Sequence, residues 1–464
     1  MPYSVTDQTP TAVLIAGLDP ARIGALAQAS ATAYLAARPR IRAAQVTGTS
    51  PFLDAVPMHW MKDWPLPAPL LVAEAKGSII TDIDGNRLDD FCLGDTGSMF
   101  GHSPAPLAEA IREQAARGLT YMLPTEAADL AGEHLTRIFG DYRWQIATTA
   151  TDANRFALRA ARAITGRPKV LVFDGCYHGT VDDAMVTLSD GQTVNRPGLV
   201  GQVTDLSTLA VAATFNDLAS VEAALAKGDV AAILTEPVMT NSCMVLPAAG
   251  FHDGLRRLAT KYGALLIMDE THTISTGLGG YSRTHGLDPD VFVAGKCIAG
   301  GLATAVWGLR PEVAERFLAV YRAKPAGHSG MGTTLSANPL QFAALTATLA
   351  HVMTPAAYAH MEAGAARLEA GLAAAIEAHA LPWHVVRVGA RVEFICAPGP
   401  LRNGAEAARA HVPDVERALH AALTVRGCLI APFHNMMLVS PVTTDAQIDR
   451  LIAAFDEILT ELTR

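Results

Sequence analysis

The sequence predicts an α/β protein: a large domain built on a mostly parallel sheet covered by helices, with a smaller α+β domain beside it. Three observations carry that prediction. Short apolar runs recur between about residues 106 and 310, namely Lys169-Val170-Leu171-Val172-Phe173, Val230-Ala231-Ala232-Ile233-Leu234, Ala264-Leu265-Leu266-Ile267-Met268 and Val291-Phe292-Val293-Ala294. Segments with helical periodicity separate them, and strands apolar on both faces need cover on both faces. Beyond Ser336 the chain changes to an Ala-rich helical stretch, Leu340 to Ala378, followed by mixed α and β patterns.

In chain order, Asp19-Pro20 is a helix-start signal, and Ile23, Leu26, Ala27, Ala31 and Tyr34 follow at helical spacing. Residues 1–55 therefore read as an N-terminal helical extension. The Pro- and Trp-rich stretch from Pro57 to Pro67 is expected to be extended and stiff, because proline fixes its own φ and restricts the residue before it. Strands are expected around Ser78–Thr81 and Arg87-Leu88, joined at the turn-forming pair Asp84-Gly85. The expected division is an extension (1–55), the first part of the small domain (56–105), the large domain (106–334) and the rest of the small domain (335–464).

A chain of 464 residues, 50% hydrophobic and only 17% charged, is long enough for two packed lobes and leaves little room for disorder. Its net charge of −9 argues against nucleic acid as a partner, since no basic stripe is present to neutralise phosphates. The densest basic stretch, Arg38 to Arg42, reads as a solvated surface segment. Cysteines at 92, 176, 243, 297, 396 and 428 show neither CxxC spacing nor a pairing pattern, which suits reduced thiols and no metal. The apolar run Thr11 to Leu18 is too short to span a bilayer. A soluble, cytoplasmic protein without a membrane partner is the expectation.

Ligands of open α/β sheets bind beyond the carboxyl ends of the strands. There Leu234 is followed by Thr235-Glu236-Pro237, Met268 by Asp269-Glu270-Thr271-His272, and Ala294 by Gly295-Lys296. A lysine and a carboxylate at neighbouring strand ends are what pyridoxal phosphate (PLP) requires: an amine for the Schiff base and an acid to keep the pyridine nitrogen protonated. The alternative for Lys296 alone is an amine reaching solvent from a strand end. A third element is the Thr148-Thr149-Ala150-Thr151-Asp152 run ahead of a helix that Thr165-Gly166 stops. Thr151 or Asp152 is expected at the helix start, where free N–H groups and the helix dipole suit a phosphate, although plain N-capping uses the same residues.

From about Ala75 onward the chain resembles the class III aminotransferases, with its nearest flavour among glutamate-1-semialdehyde aminomutases and ω-transaminases. The residues that carry the resemblance include Thr165-Gly166-Arg167, Phe173-Asp174-Gly175-Cys176-Tyr177-His178-Gly179 and Phe215-Asn216-Asp217. Glu236-Pro237-Val238, Asp269-Glu270, Gly295-Lys296 with Gly300-Gly301, and Thr334-Leu335-Ser336-Ala337-Asn338-Pro339 follow in the same order. The resemblance implies the fold type I architecture of PLP-dependent transferases, with residues 106–334 as the PLP-binding domain. It implies Lys296 as Schiff-base lysine, Asp269 as the pyridine-nitrogen partner, Tyr177 stacked on the ring and Thr271 under the opposite face. Ala150 and Thr151 would hold the phosphate, joined by Thr334 from the other subunit of a homodimer or dimer of dimers. Glu236 and Asn216 would lie near the phenolic oxygen.

The chain departs from the family in reading Thr149-Ala150-Thr151-Asp152-Ala153 where Ser-Gly-Thr-Glu-Ala is usual, and Thr271-His272 where valine usually follows Asp-Glu. A packed histidine is the plainer reading of His272. The segment Pro57 to Pro67 does not match the aminomutase entry region, which makes Trp60 and Gly94-Asp95-Thr96-Gly97 pocket candidates, with simple packing as the alternative for Trp60. Arg391, in a strand-like run, is the candidate for binding a substrate carboxylate, against a salt bridge to Glu393 or another acid. The implied activity is amino transfer from an amine, β-amino acid or ω-amino acid donor to a keto acid or aldehyde acceptor. The alternatives are an intramolecular aminomutase of the glutamate-1-semialdehyde type and a racemase. A non-catalytic PLP-binding regulator would need an appended binding module, and the N-terminal segment is neither strongly basic nor helix-turn-helix-like.

Overall fold

The computed structural model describes residues 14–46, 50–327, 329–432 and 434–464. Its strands in chain order are β1 (Val72–Lys76), β2 (Ile79–Asp82), β3 (Arg87–Asp90), β4 (Arg143–Ala147), β5 (Lys169–Phe173), β6 (Val186–Ser189), β7 (Gln192–Asn195) and β8 (Ala210–Ala213). They continue with β9 (Val230–Thr235), β10 (Leu265–Asp269), β11 (Val291–Ala294), β12 (Ala305–Leu309), β13 (His384–Val388), β14 (Arg391–Ile395), β15 (Cys428–Leu429) and β16 (Met436–Leu438).

The central sheet runs β4-β12-β11-β10-β9-β5-β8. Only β12 is antiparallel to its neighbours. Each of the apolar runs singled out in the sequence is a strand of this sheet, and β9, β10 and β11 are buried along their whole length. Helices supply the cover: Phe156, Ala157 and Ala160 of the helix Ala150–Thr165 and Phe251 and Leu255 of the helix Phe251–Tyr262 share one core with β5, β9 and β10. Strands β4, β8 and β12 carry weaker signals. The edge strand β4 alternates exposed and half-buried residues.

A second core joins β14 to the helices Pro355–Ala378, Pro413–Val425 and Asp445–Thr463 through Leu368, Leu372, Phe394, Leu419 and Phe455. Ile23 and Leu26 of the helix Pro20–Ala36 enter the same core, so the described part of the N-terminal segment packs as one unit with the C-terminal part of the chain. That helix starts where the sequence indicates: Asp19 Oδ1 accepts from the Ala21 N–H at 2.9 Å.

Two expectations are corrected. The stretch Leu340 to Ala378 is two helices, Pro339–Ala347 and Pro355–Ala378, separated by a π turn. Pro355 has no N–H to continue the first helix, and Thr354 caps the second by accepting from the Ala357 N–H at 3.1 Å. Arg38 is not a solvated surface residue. It is 3% exposed, donates to Asp82 Oδ2 at 2.9 Å and stacks on the Tyr34 ring.

Candidate active site

Register brings the predicted strand ends together. Met268 lies opposite Thr235 and Asp269 opposite Val293, so Glu236, Asp269 and Lys296 emerge side by side at the carboxyl edge of β9, β10 and β11.

Asp269 is buried and fully engaged. Its Oδ2 accepts from Asn154 Nδ2 at 2.8 Å and from His178 Nδ1 at 2.9 Å; its Oδ1 accepts from the Thr271 N–H at 3.1 Å and the Thr271 hydroxyl at 2.6 Å. Burial pushes this carboxyl up, but the donors of His178, Thr271 and Asn154 outweigh it and hold the group below its ordinary range. Burial also opposes a His178 cation, yet Cys176 and Asp269 together raise that imidazole above its ordinary value. The result is a buried ionised carboxylate held against a His178 imidazole that favours its proton, with Asn154 Oδ1 and His178 Nε2 left without partners. Sequence reading placed Asp269 and Thr271 here but gave no role to Asn154 or His178.

The candidate phosphate cradle is the start of the helix Ala150–Thr165. The N-cap is Thr149, whose hydroxyl accepts from the Asp152 N–H at 3.2 Å, which corrects the expectation of Thr151 or Asp152. Ala150 and Thr151 are therefore first-turn residues whose N–H groups have no intrahelical acceptor, the arrangement that suits an anion. Thr151 Oγ1 accepts from the Thr180 N–H at 3.1 Å. The neighbouring turn requires glycine: at Gly179, with φ +76°, a Cβ would lie 2.1 Å from Thr151 Oγ1.

Tyr177, 39% exposed, stands above this floor, and its N–H donates to Glu236 Oε1 at 3.4 Å. Burial raises the Glu236 carboxyl above its ordinary range, and its other oxygen accepts from the Thr240 N–H at 3.0 Å. Asn216 joins a different network: it donates to the Leu246 and Arg402 carbonyls, each at 2.9 Å, and accepts from the Ala248 N–H at 2.7 Å. Its recorded bonds tie loops together and none reaches the Asp269 cluster. Thr334 lies on an exposed turn, and two residues on, the Ser336 hydroxyl is 3.4 Å from that of Thr148 beside the cradle. Trp60 is 40% exposed on a short 3₁₀ turn, where its carbonyl accepts from the Asp63 N–H at 3.1 Å.

Around Lys296 a second polar cluster forms. Lys296 Nζ lies 2.6 Å from Asp95 Oδ2, 2.9 Å from the Asp95 carbonyl oxygen and 3.0 Å from His272 Nε2. On the other side of the imidazole, Arg391 Nη2 donates to His272 Nδ1 at 2.7 Å and to the Thr96 hydroxyl at 2.6 Å. Lys296, Asp95 and Thr96 all have positive φ, at 52°, 49° and 81°. Side chains other than glycine adopt that region at a cost, and for β-branched Thr96 it is a marked outlier of the kind that gathers at functional sites.

Arg391 is 0% exposed. No ion pair joins it to Glu393, whose Oε1 lies 3.4 Å from His434 Nδ1. Its Nε and Nη1 have no partner. Burial holds the His272 imidazole well below its ordinary value, reinforced by Lys296, so the ring is neutral. Burial also works against the Asp95 charge, but Lys296 foremost, with His272 and Arg391, keeps that carboxyl ionised far below its usual range.

These residues fit PLP: a lysine at one strand end, a buried ionised carboxylate at the next, a helix start suited to an anion, and Tyr177 beside Glu236 with its side chain partly exposed. The model for the family described as "Aminotransferase class-III" matches residues 61–459. The chain belongs to the class III aminotransferases. It is 35% identical over 398 residues to the glutamate-1-semialdehyde 2,1-aminomutase of Roseiflexus castenholzii, covering 84% of this chain and 90% of that protein. Among solved structures it superposes on a glutamate-1-semialdehyde-aminomutase from Pseudomonas aeruginosa with a TM-score of 0.93 and 48% identity, covering 96% of this chain and 100% of that one. An ω-transaminase from Sphaerobacter thermophilus follows at a TM-score of 0.80 and 26% identity, covering 94% and 98%. This likeness also settles the architecture as the fold type I of class III aminotransferases. Among the described residues no helix is long and apolar enough to cross a membrane, and no group of three or more metal-ligating side chains gathers.

Proposed function

We propose that this class III enzyme uses PLP to exchange an amino group within a carboxylate-bearing amino compound, a reaction of the aminomutase type. The observation that carries the reading is Arg391: fully buried, lacking a carboxylate partner, with two unspent polar atoms one imidazole away from Lys296. A buried guanidinium left unpaired is costly, and a substrate carboxylate supplies its missing partner. The two aminomutases at 35% and 48% identity support the same chemistry, since the compound in their name carries both a carboxylate and an amino group.

When bound, PLP supplies an electron sink for charge developing at the substrate carbon. Asp269 would hold the ring nitrogen in its protonated form, and the N–H groups of Ala150 and Thr151 would hold the phosphate, joined by Thr334 of the partner subunit in a homodimer. Tyr177 and Thr271 would flank the ring. Lys296 Nζ is the group that would move a proton at the substrate. Trp60 and Thr96 remain candidates for the substrate side, and Thr96 already touches Arg391.

Transfer between a separate donor and acceptor is the second reading, supported by the likeness to the ω-transaminase. One experiment separates them. The PLP-loaded protein is given glutamate-1-semialdehyde, and in parallel alanine, a β-amino acid, an ω-amino acid or an aryl-alkyl amine, in each case without any carbonyl acceptor. An aminomutase isomerises the first compound over many turnovers and releases no carbonyl product from the others. One equivalent of ketone or aldehyde from a simple donor, with bleaching of the yellow band, establishes the transaminase instead. In either case Arg391→Gln should raise KM for a carboxylate-bearing substrate by about 30-fold or more, from the ~2 kcal/mol or more that a truncated buried charge contact costs.

A further inference from the structure

The imidazole of His272 lies between the two groups on which the proposed reaction depends, with Nε2 at 3.0 Å from Lys296 Nζ and Nδ1 at 2.7 Å from Arg391 Nη2. A guanidinium has donors only, so the Arg391 contact needs a lone pair on Nδ1. A neutral ring then carries its proton on Nε2, aimed at Lys296. The surroundings of Nζ match that tautomer if the lysine is an uncharged amine: its two N–H groups face the Asp95 carbonyl and Asp95 Oδ2, and its lone pair receives the Nε2 proton.

Lysine as an ammonium ion needs the opposite arrangement. A third N–H then points at Nε2, which must accept, and the ring proton sits on Nδ1. There it can be donated to the Thr96 hydroxyl at 3.0 Å, but it opposes the Arg391 N–H. The guanidinium is then pushed off the ring. Released from the ring, Nη2 can join the unpartnered Nε or Nη1 to take a carboxylate through two N–H groups at once. Two self-consistent networks thus exist, differing in one proton on Lys296 and one tautomer of His272.

We propose that His272 is a positioning residue that couples carboxylate capture at Arg391 to the protonation of Lys296. With no carboxylate bound, Arg391 fixes the Nε2–H tautomer, which satisfies an uncharged amine and works against the ammonium that Asp95 favours. A carboxylate draws Arg391 away and lets the ring change tautomer, and Lys296 can then accept a proton while Asp95 holds the ammonium. No proton is lost or gained by His272: the Nε2 proton is replaced by one on Nδ1, and the additional proton on Nζ comes from the substrate carbon during the reaction and from solvent when an unreactive carboxylate binds. The lysine becomes an effective proton carrier only when a substrate with the right anionic group is present. The proposal rests on the reading of Arg391 as the carboxylate site.

The test uses the full-length chain loaded with pyridoxamine phosphate, in which Lys296 has no bond to the cofactor, and butyrate as an unreactive carboxylate probe. Neutron diffraction locates the protons on His272 and Lys296 with and without butyrate. The expected result is Nε2–H with an uncharged amine in the free form, and Nδ1–H with an ammonium in the butyrate form. Butyrate seated on Arg391 with His272 unchanged overturns the coupling and leaves the carboxylate site intact. Butyrate failing to reach Arg391 at saturating concentration overturns both. Two variants add a kinetic readout. His272→Gln can still accept from Arg391 and donate to Lys296 but cannot change tautomer, so kcat should fall by about 10²-fold while KM for a carboxylate-bearing substrate stays within about threefold. His272→Phe should lose both. Equal kcat in His272→Gln and the parent enzyme contradicts the proposal.

Discussion

Asp269 and His178 meet at 2.9 Å in a pocket that water does not reach, and their charges depend on each other. The Asp269 carboxyl is held below its ordinary value, so its contribution to stability is present above about pH 4 and lost as pH falls through its folded-state value. His178 is raised, so its contribution is complete below about pH 6.5 and is lost as pH rises towards its folded-state value. The pair should therefore stabilise the fold most between about pH 4 and pH 6.5. Denaturant titrations of the parent and His178→Asn across this range should show the largest gap inside the window. A gap independent of pH means that the pair is not ionised. Asp269→Asn, which leaves a buried cation unmatched, should lose about 3–5 kcal/mol of stability. At this scale the sequence was informative for Asp269 and Lys296, because each is a polar group ending an apolar strand. It was silent on Asn154 and His178, which reach the site from 115 and 91 residues away along the chain, and it marked Asp95, 201 residues from Lys296, as part of a pocket candidate without its contact to the lysine. His272 looked like a packed histidine from its neighbours; only the approach of Arg391 from β14 gives it a second role.

The helix Ala150–Thr165 is the element on which cofactor binding turns. The sequence marked it through its apolar face and its Gly166 stop, and missed the cap by two residues, because a row of hydroxyl-bearing residues offers several equivalent caps. Thr149→Ala should lower stability by about 1 kcal/mol, the usual cost of removing a hydroxyl cap. Thr151→Ala should leave stability nearly unchanged while weakening PLP binding; thermal melts of the cofactor-free protein alongside PLP titrations separate the two effects. If Thr151→Ala proves the more destabilising, the helix starts elsewhere. Gly179→Ala should weaken PLP binding more than either, since its Cβ would meet Thr151 Oγ1 at 2.1 Å. Strand β4 escaped notice for a related reason: at the sheet edge only part of each residue is buried, so its pattern does not stand out from a loop.

In the whole molecule, the carboxyl edge of the central sheet gathers Glu236, Asp269 and Lys296, and Arg391 on β14 approaches them from the second core. The plan of a sheet covered by helices on both faces could be read from the sequence because doubly covered strands are apolar throughout. The placement of the N-terminal segment could not, because an amphipathic helix announces an apolar face and not the surface it meets. Ile23 and Leu26 lie in the same core as Leu372 and Phe455, so deleting residues 1–36 should give a protein that aggregates or melts well below the full chain. Light scattering of the full chain should give the mass of a homodimer or a dimer of dimers, and Thr334→Ala should keep that mass while retaining PLP less tightly. The central assignment is that Lys296 carries the cofactor. Borohydride reduction of the PLP-loaded protein, followed by protease digestion and mass spectrometry, tests it directly. One phosphopyridoxyl group per chain on the peptide containing Lys296, absent from Lys296→Ala, is the expected result; a group on any other lysine, or none, contradicts it.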